Sequence, residues 1–261
     1  MARGKKKAAY GRRRGFRLLY QLLSAILILA AVIGGSILFF RVEEIQVVGS
    51  SKYSAEQILA AAAVEEHSNL LLLPGGTIEK RITESFPYVD AVTVKRIFPT
   101  TIRLEIRECL PLAAVQSEGA WWILGAGGKV LERTEQSLAA EYIQVEGLAL
   151  VEPQVGAYAQ VEEMAEPMFQ ALKGILTAVE AHGIFGNVDW IDITARTEVE
   201  MRYLDRFTVR LPVSMEYGDK KKNNAEYMRK MEVLDKMVPK LDESDQGTID
   251  LRGQDGHFIP M

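Results

Sequence analysis

An uncharged stretch near the N-terminus is the feature that most constrains this chain. Residues 18–40 form a run of 23 residues without Asp, Glu, Lys or Arg. As a helix rising about 1.5 Å per residue, the run reaches about 34 Å, enough to cross a hydrocarbon core of about 30 Å. Because a helix satisfies its own backbone in lipid, we expect residues 18–40 to span a lipid bilayer. This excludes the class of freely soluble cytosolic proteins.

The charge on either side of the run predicts its orientation. The first 17 residues carry eight of the 31 basic side chains and none of the 35 acidic ones. By the positive-inside rule, residues 1–17 are a cytoplasmic tail and the chain after Arg41 lies outside the cytoplasm. A cleaved signal peptide is the alternative, but its apolar part usually spans about 7–15 residues before a small-residue cleavage site. The basic tail could also contact nucleic-acid phosphates, but beside a membrane helix we predict no specific nucleic-acid partner.

Residues 41–110 are predicted to form a compact β-α-α-β-β module. Ser54 and Gln57 form a capping box that opens its first helix. The second strand of its hairpin alternates apolar and charged residues, so one face is packed and the other is wet. The apolar set is Ile102, Leu104 and Ile106, and the charged set is Arg103, Glu105 and Arg107. The predicted elements are a strand over 44–48, helices over 54–63 and 77–85, and strands over 89–97 and 101–109.

Residues 111–253 are predicted to form a β-domain with flanking helices, followed by a C-terminal tail over 254–261. Apolar residues spaced three and four apart predict the helices, and period-two alternation predicts most of the strands. The helices are expected over 168–182 and from 223 to Pro239. The strands are expected over 112–116, 121–124, 129–131, 142–145, 188–194, 199–204, 207–211 and 248–252.

The sequence contains no recognisable catalytic, cofactor or metal motif. His67, His182 and His257 are far apart, and Cys109 is the only cysteine, so no zinc-ligand spacing exists and no intramolecular disulfide can form. Gly125 to Lys129 lacks the glycine and hydroxyl positions of a phosphate loop and fits a hairpin turn better. We therefore predict no catalytic residues, no cofactor and no metal. The role of Cys109 is left open.

Several segments of the chain resemble the bacterial cell-division proteins FtsQ and DivIB. They are VEEIQVVG over 42–49, FPYVDAVTVKRIFPTTIRLEI over 86–106, ECLPLA over 108–113, WIL over 122–124 with Gly128, and IDLR over 249–252. The resemblance is strong over residues 42–131 and weaker from 132 to 245. The chain differs from the family pattern at Ser50, Cys109 and Gly125, where Asn, Arg and Asp are usual.

The resemblance implies an α+β fold, with a transmembrane helix, a POTRA module over 41–110 and a mixed β-sheet domain over 111–253. It also implies a non-enzymatic, single-pass scaffold of the divisome at the division septum of the cell membrane. Its expected partners are division proteins of the FtsL and FtsB (DivIC) type, and its expected role is to help control septal peptidoglycan synthesis. The alternatives are a signal-anchored envelope enzyme and a POTRA-type secretion component, which would need a β-barrel.

The last predicted strand is the candidate partner-binding site, and it consists of Thr248, Ile249, Asp250, Leu251 and Arg252. We find no predicted strand after it, so we expect a free edge that an extended partner segment can pair with. The resemblance implies that this partner is the extracytoplasmic end of an FtsB or DivIC type protein. The alternative is an ordinary strand that is paired on both sides.

Overall fold

The computed structural model describes residues 10–65, 67–213 and 220–261. The first described element is helix α1, Tyr10–Phe39. Its stretch Leu19–Ser36 is long and apolar enough to cross a membrane, and none of that stretch is buried against the rest of the protein. The first nine residues of the predicted cytoplasmic tail lie outside the described residues.

The residues after α1 form the small sheet and its two helices, as the sequence predicts. The elements are β1 (Glu44–Val48), α2 (Ala55–Ala62), α3 (Gly75–Ser85), β2 (Val89–Ile97) and β3 (Thr101–Glu108). The strand order is β1-β3-β2, with β1 parallel and β2 antiparallel to β3. The Ser54 hydroxyl accepts from the Gln57 N–H, and the Gln57 side chain accepts from the Ser54 N–H, so the predicted capping box is confirmed.

The alternation along β3 separates the packed face from the wet face. Ile102, Leu104 and Ile106 are buried and pack with Ile58 and Ile82 of the two helices. The opposite face carries Lys95 paired with Glu105 at 2.7 Å and Arg107 paired with Asp90 at 2.5 Å. A slip of one residue in register would bury these charges, so the hydrophobic pattern fixes the strand pairing.

The remaining described residues form the large sheet with three helices. Its strands are β4 (Ala113–Ser117), β5 (Ala120–Leu124), β6 (Val130–Thr134), β7 (Ile143–Glu146), β8 (Val188–Asp192), β9 (Glu198–Tyr203), β10 (Phe207–Pro212), β11 (Gly247–Asp250) and β12 (His257–Pro260). Its helices are α4 (Gln136–Ala139), α5 (Glu166–Ala181) and α6 (Lys220–Met237). The strand order is β12-β11-β10-β9-β8-β7-β4-β5-β6. Helices α5 and α6 pack on one face, where Tyr227 is fully buried and donates to the Pro212 carbonyl at 2.8 Å.

The prediction of a C-terminal tail over 254–261 is wrong, because these residues contain β12. The chain turns back after β11 through Gly253 to Gly256, and β12 then runs antiparallel to β11. A Cβ atom at Gly256 would lie 2.5 Å from Met237 and 2.9 Å from Leu251, so the turn packs tightly against α6. The sequence contains Asp255-Gly256 at this point, a dipeptide typical of hairpin turns.

Lys129 joins the large sheet to the small sheet. It lies just before β6 and is only 1% exposed. Its ammonium group donates to the carbonyl oxygens of Thr83 at 3.0 Å, Phe86 at 3.3 Å and Val89 at 2.8 Å. Thr83 lies in the last turn of α3, where the usual donor would be the N–H of residue 87, which is a proline. Lys129 therefore supplies a donor that the helix lacks, next to the negative end of its dipole.

Cys109 and Gly125 meet at the same junction. A Cβ atom at Gly125 would lie 2.1 Å from the Cys109 Sγ atom, so a side chain at position 125 would require the thiol to move. Burial raises the pKa of the Cys109 thiol to about 11. The thiol is protonated at neutral pH, and its role in the structure is packing.

Candidate functional site

The exposed end of the large sheet is the candidate site for a protein partner. The prediction that residues 248–252 form a free edge is wrong, because β11 lies between β10 and β12. Strand β11 pairs in parallel with β10 and antiparallel with β12. Among the described residues, no strand pairs with the outer side of β12. The terminal strand next to the predicted site is therefore β12; the other terminal strand is β6, whose first residue, Val130, exchanges hydrogen bonds with Gly156 and Ala157.

The register of β12 determines which backbone groups are available at this edge. Thr248 lies opposite Ile259, and Ile249 lies opposite Phe258. The Met261 N–H donates to the Gln246 carbonyl at 3.0 Å. Because hydrogen bonding alternates along an antiparallel pair, residues 257, 259 and 261 direct their backbone groups toward β11. Phe258 and Pro260 direct theirs outward, but Pro260 has no N–H to donate.

Besides its backbone pairing with β11, strand β12 is held on the sheet by a ring contact and by a close approach of the two backbones. The Phe258 ring packs edge-to-face on the Phe207 ring, with centroids 6.0 Å apart and an interplanar angle of 87°. At Gly247, a Cβ atom would lie 2.2 Å from the Ile259 carbonyl oxygen. Glycine is therefore required for β11 and β12 to approach each other here. The Ile259 side chain remains 54% exposed, which leaves an apolar group available for contact.

The five residues predicted as a partner site divide between the two faces of the sheet. Ile249 and Leu251 are buried in the core at 0% and 1% exposure. Thr248 and Asp250 lie on the opposite, half-buried face, and Arg252 is exposed just beyond the strand. The Arg252 guanidinium binds Asp250 at 2.6 Å and Glu198 at 2.7 Å. The two apolar residues thus stabilise the sheet, and only the polar three are accessible.

The charged side chains of this face neutralise one another. Arg210 binds Glu200 at 3.0 Å on the neighbouring strand and also lies opposite Asp250 in the register. The hydrogen bonds from Arg252 lower the pKa of Asp250 to about 2. The Asp250 carboxylate is therefore ionised and paired at neutral pH. This arrangement fits a structural role, and a partner would meet a balanced polar surface.

The described residues bring no metal-ligand cluster together: no three His, Cys, Asp or Glu side chains lie at metal-binding distances. Among the three histidines, His182 has a carboxylate neighbour, with its Nδ1 atom 3.4 Å from Asp235. A cleft of about 530 Å³ lies at the junction of the sheets, lined in part by Asp90, Cys109 and Glu180. Burial raises the pKa of Glu180, and the nearby Asp90 adds to this effect.

Sequence reasoning missed β12, although two signals for it were present. Asp255-Gly256 is a turn signal, and the adjacent apolar residues Phe258 and Ile259 follow it after His257. Four residues ending in a proline carry too little alternation to be recognised as a strand on their own. The identity of the edge therefore depends on a contact between distant parts of the fold.

Comparison with known proteins places the first module in a defined family. Residues 40–108 match the family model of the POTRA domain, FtsQ-type. The chain is 26% identical over 145 residues to the cell division protein FtsQ of Syntrophotalea carbinolica, covering 53% of this chain and 51% of that protein. It is 23% identical over 132 residues to the cell division protein DivIB of Clostridium tetani, covering 51% and 46%. The chain thus spans about half the length of the curated relatives it matches.

Proposed function

The chain belongs to the FtsQ/DivIB family of bacterial cell-division proteins, and from this premise we propose that it is a non-enzymatic membrane scaffold of the divisome. It acts by capturing an extended segment of a partner protein at the β12 edge. The partners are division proteins of the FtsL and FtsB or DivIC type, and their capture helps to control septal peptidoglycan synthesis. The exposed edge strand, carried on a membrane-anchored α+β body, is the observation that supports this proposal.

Strand addition fits the geometry of β12. The outward Phe258 backbone supplies one donor and one acceptor, and the exposed Ile259 side chain supplies an apolar contact on the face of Thr248. Pro260 offers only an acceptor, which limits uncontrolled pairing with other chains. Main-chain hydrogen bonds provide affinity in this mode, and side chains on alternate positions provide specificity. Thr248, Asp250 and Arg252 then act from the neighbouring strand.

The proposed placement in the cell follows the charge distribution. Residues 1–17 remain in the cytoplasm, α1 crosses the cell membrane once, and both sheets lie outside the cytoplasm at the division septum. The basic tail before α1 supports this orientation. We place the boundary between the POTRA domain and the β-domain at residues 110 and 111, with the β-domain extended beyond 253 to include β12.

Proline substitution at Ile259 tests the capture edge. The N–H of residue 259 faces β11, so Ile259→Pro removes an inward hydrogen bond and detaches β12. The core residues Ile249 and Leu251 remain covered by the rest of the sheet and the helices. We expect the full-length variant to remain folded and to lose co-purification with the FtsB or DivIC type protein expressed in the same cells. Ile259→Val is the matched control, because it keeps the N–H and the branched side chain, and it should bind normally.

Thermal unfolding by circular dichroism establishes that both variants are folded. A folded Ile259→Pro protein that retains the partner would contradict capture at β12. Removal of residues 257–261 deletes β12 and so distinguishes β12 from β11 as the strand that binds the partner. If this shortened chain is folded and still retains the partner, then β11, with Thr248 and Asp250, is the strand that binds.

A further inference from the structure

An exposed apolar patch lies at the end of the POTRA module that α1 enters. We define the apolar patch by four side chains from two separate loops. Leu71 and Leu72, which follow α2, are 46% and 77% exposed, and Ile97 and Phe98, at the β2–β3 turn, are 37% and 56% exposed. Four large apolar side chains from distant parts of the chain thus face solvent together at one end of a small module. Exposed apolar groups that cluster in this way mark an interaction surface.

Direct contacts join the apolar patch to the end of the membrane helix. The Leu70 N–H donates to the Phe40 carbonyl at 2.8 Å, one residue after α1 ends. The Phe98 ring packs edge-to-face on the Phe40 ring at 5.5 Å, and Phe40 packs on Phe39 at 5.2 Å. The patch is therefore continuous with the aromatic end of the helix, where aromatic side chains typically mark the membrane interface.

Several backbone groups of the loop that carries Leu71 and Leu72 have hydrogen-bond partners within the protein. The Leu71 N–H donates to the Asn69 side chain at 2.9 Å, and the Leu72 N–H donates to the Asn69 carbonyl at 3.1 Å. Arg96 donates to the carbonyls of Leu70 at 2.9 Å and Leu73 at 2.7 Å. Because these polar groups already have partners, they lower the cost of moving the loop out of water.

We infer that the apolar patch inserts into the interfacial region of the leaflet in which α1 ends, so that the POTRA module rests on the bilayer. This inference rests on the proposed membrane anchor. The bilayer is the occupant because it begins at Phe39 and Phe40, which contact the patch directly. Arg41 directly follows Phe40, and its bridge to Asn69 places it beside the loop of Leu71 and Leu72, where its charge is suited to anionic lipid headgroups. Insertion at a second point beside the helix restricts tilting of the module.

Site-directed spin labelling of the full-length chain tests this inference. The native Cys109 is buried, so the unmodified protein should take up no nitroxide label. The label is placed at Leu71→Cys and at Phe98→Cys, in nanodiscs of phosphatidylglycerol and phosphatidylethanolamine. Val48→Cys is the matched control, because Val48 is 42% exposed but lies at the far end of β1. Leu27→Cys reports whether α1 itself is in lipid.

Power saturation measures the accessibility of each label to oxygen, which concentrates in lipid, and to a polar nickel complex, which stays in water. We expect a higher oxygen-to-nickel ratio at positions 71 and 98 than at 48. Water-like values at 71 and 98 with a lipid-like value at 27 would overturn the inference and leave the anchor intact. Water-like values at all four positions would overturn the anchor itself. Shielding of 71 and 98 from both reagents would identify a protein partner or a second copy on the patch, and would also overturn the inference.

Discussion

Replacement of Lys129 by methionine should loosen the junction between the two sheets. Methionine keeps most of the length and apolar contact of the lysine stem but removes the charge and all three hydrogen bonds to the small-sheet module. The Lys129 side chain is buried, and this burial lowers the pKa of its ammonium group. The three carbonyl groups, with the nearby charge of Asp90, compensate for this desolvation.

The expected fall in the free energy of unfolding follows from the hydrogen bond that each carbonyl group loses. The Phe86 carbonyl also accepts from the Val89 N–H at 3.1 Å, so it keeps a partner. The Thr83 carbonyl loses a donor that Pro87 cannot replace, and the Val89 carbonyl loses its contact at 2.8 Å. An unsatisfied buried group costs about 1–3 kcal/mol, and removal of the buried charge offsets part of this. We expect Lys129→Met to lower the free energy of unfolding by about 2–4 kcal/mol.

Urea denaturation of the full-length chain in detergent micelles measures this change, followed by tryptophan fluorescence and circular dichroism. Lys80→Met is the matched control. Lys80 lies on α3, its side chain is 74% exposed, and its pair with Glu84 spans 3.7 Å. Such exposed pairs contribute about 0–1 kcal/mol, so we expect Lys80→Met to change the free energy of unfolding very little. The same free energy of unfolding for Lys129→Met and the unmodified protein would refute the assignment of Lys129 as the junction residue.

Two further predictions concern the POTRA module. Burial raises the pKa of Glu108, but hydrogen bonds from the Lys52 N–H and from Ser51 and Ser50 outweigh this effect and lower the pKa to about 2. The ionised Glu108 therefore stabilises the fold at pH values above 4.5, its ordinary pKa. This contribution is lost as the pH falls toward 2. The melting temperature of Glu108→Gln should therefore lie below that of the unmodified protein at pH 7 and approach it near pH 2, and a constant difference at every pH would contradict this role. Leu104 is fully buried, so Leu104→Ala should lower the free energy of unfolding in urea by about 2–5 kcal/mol. Arg103→Ala, on the opposite face of the same strand, should change it by less than about 0.5 kcal/mol, and equal effects of the two would mean that the faces are assigned wrongly.

The elements that sequence predicts well carry their signals locally. The capping box at Ser54 and Gln57 involves four consecutive residues, and the alternation of Ile102, Leu104 and Ile106 is complete within one strand. Each pattern reports a single period or a single cap, so no knowledge of distant residues is needed. The structure has both features where the sequence places them.

The features that sequence reasoning missed depend on distant contacts. Lys129 looks like the end of a glycine-rich turn, and its burial follows only from the packing of α3 against the start of β6. Cys109 and Gly125 appear as two unrelated departures from the family pattern. In the structure they explain each other, because the thiol occupies the space that a side chain at 125 would need. A steric contact between two residues that are distant in the chain produces no periodic pattern in a single sequence.

The large sheet fixes the distance between its two terminal strands. Strand β6 lies beside Lys129 at the junction, and β12 lies eight strand intervals away at the other end. With neighbouring strands about 4.8 Å apart, β12 lies about 38 Å from β6 as measured along the sheet. Under the proposed function, a partner that contacts both the POTRA module and β12 must span that distance, which takes about 25 residues of helix at about 1.5 Å per residue. A partner segment shorter than this would contact one of the two surfaces but not both.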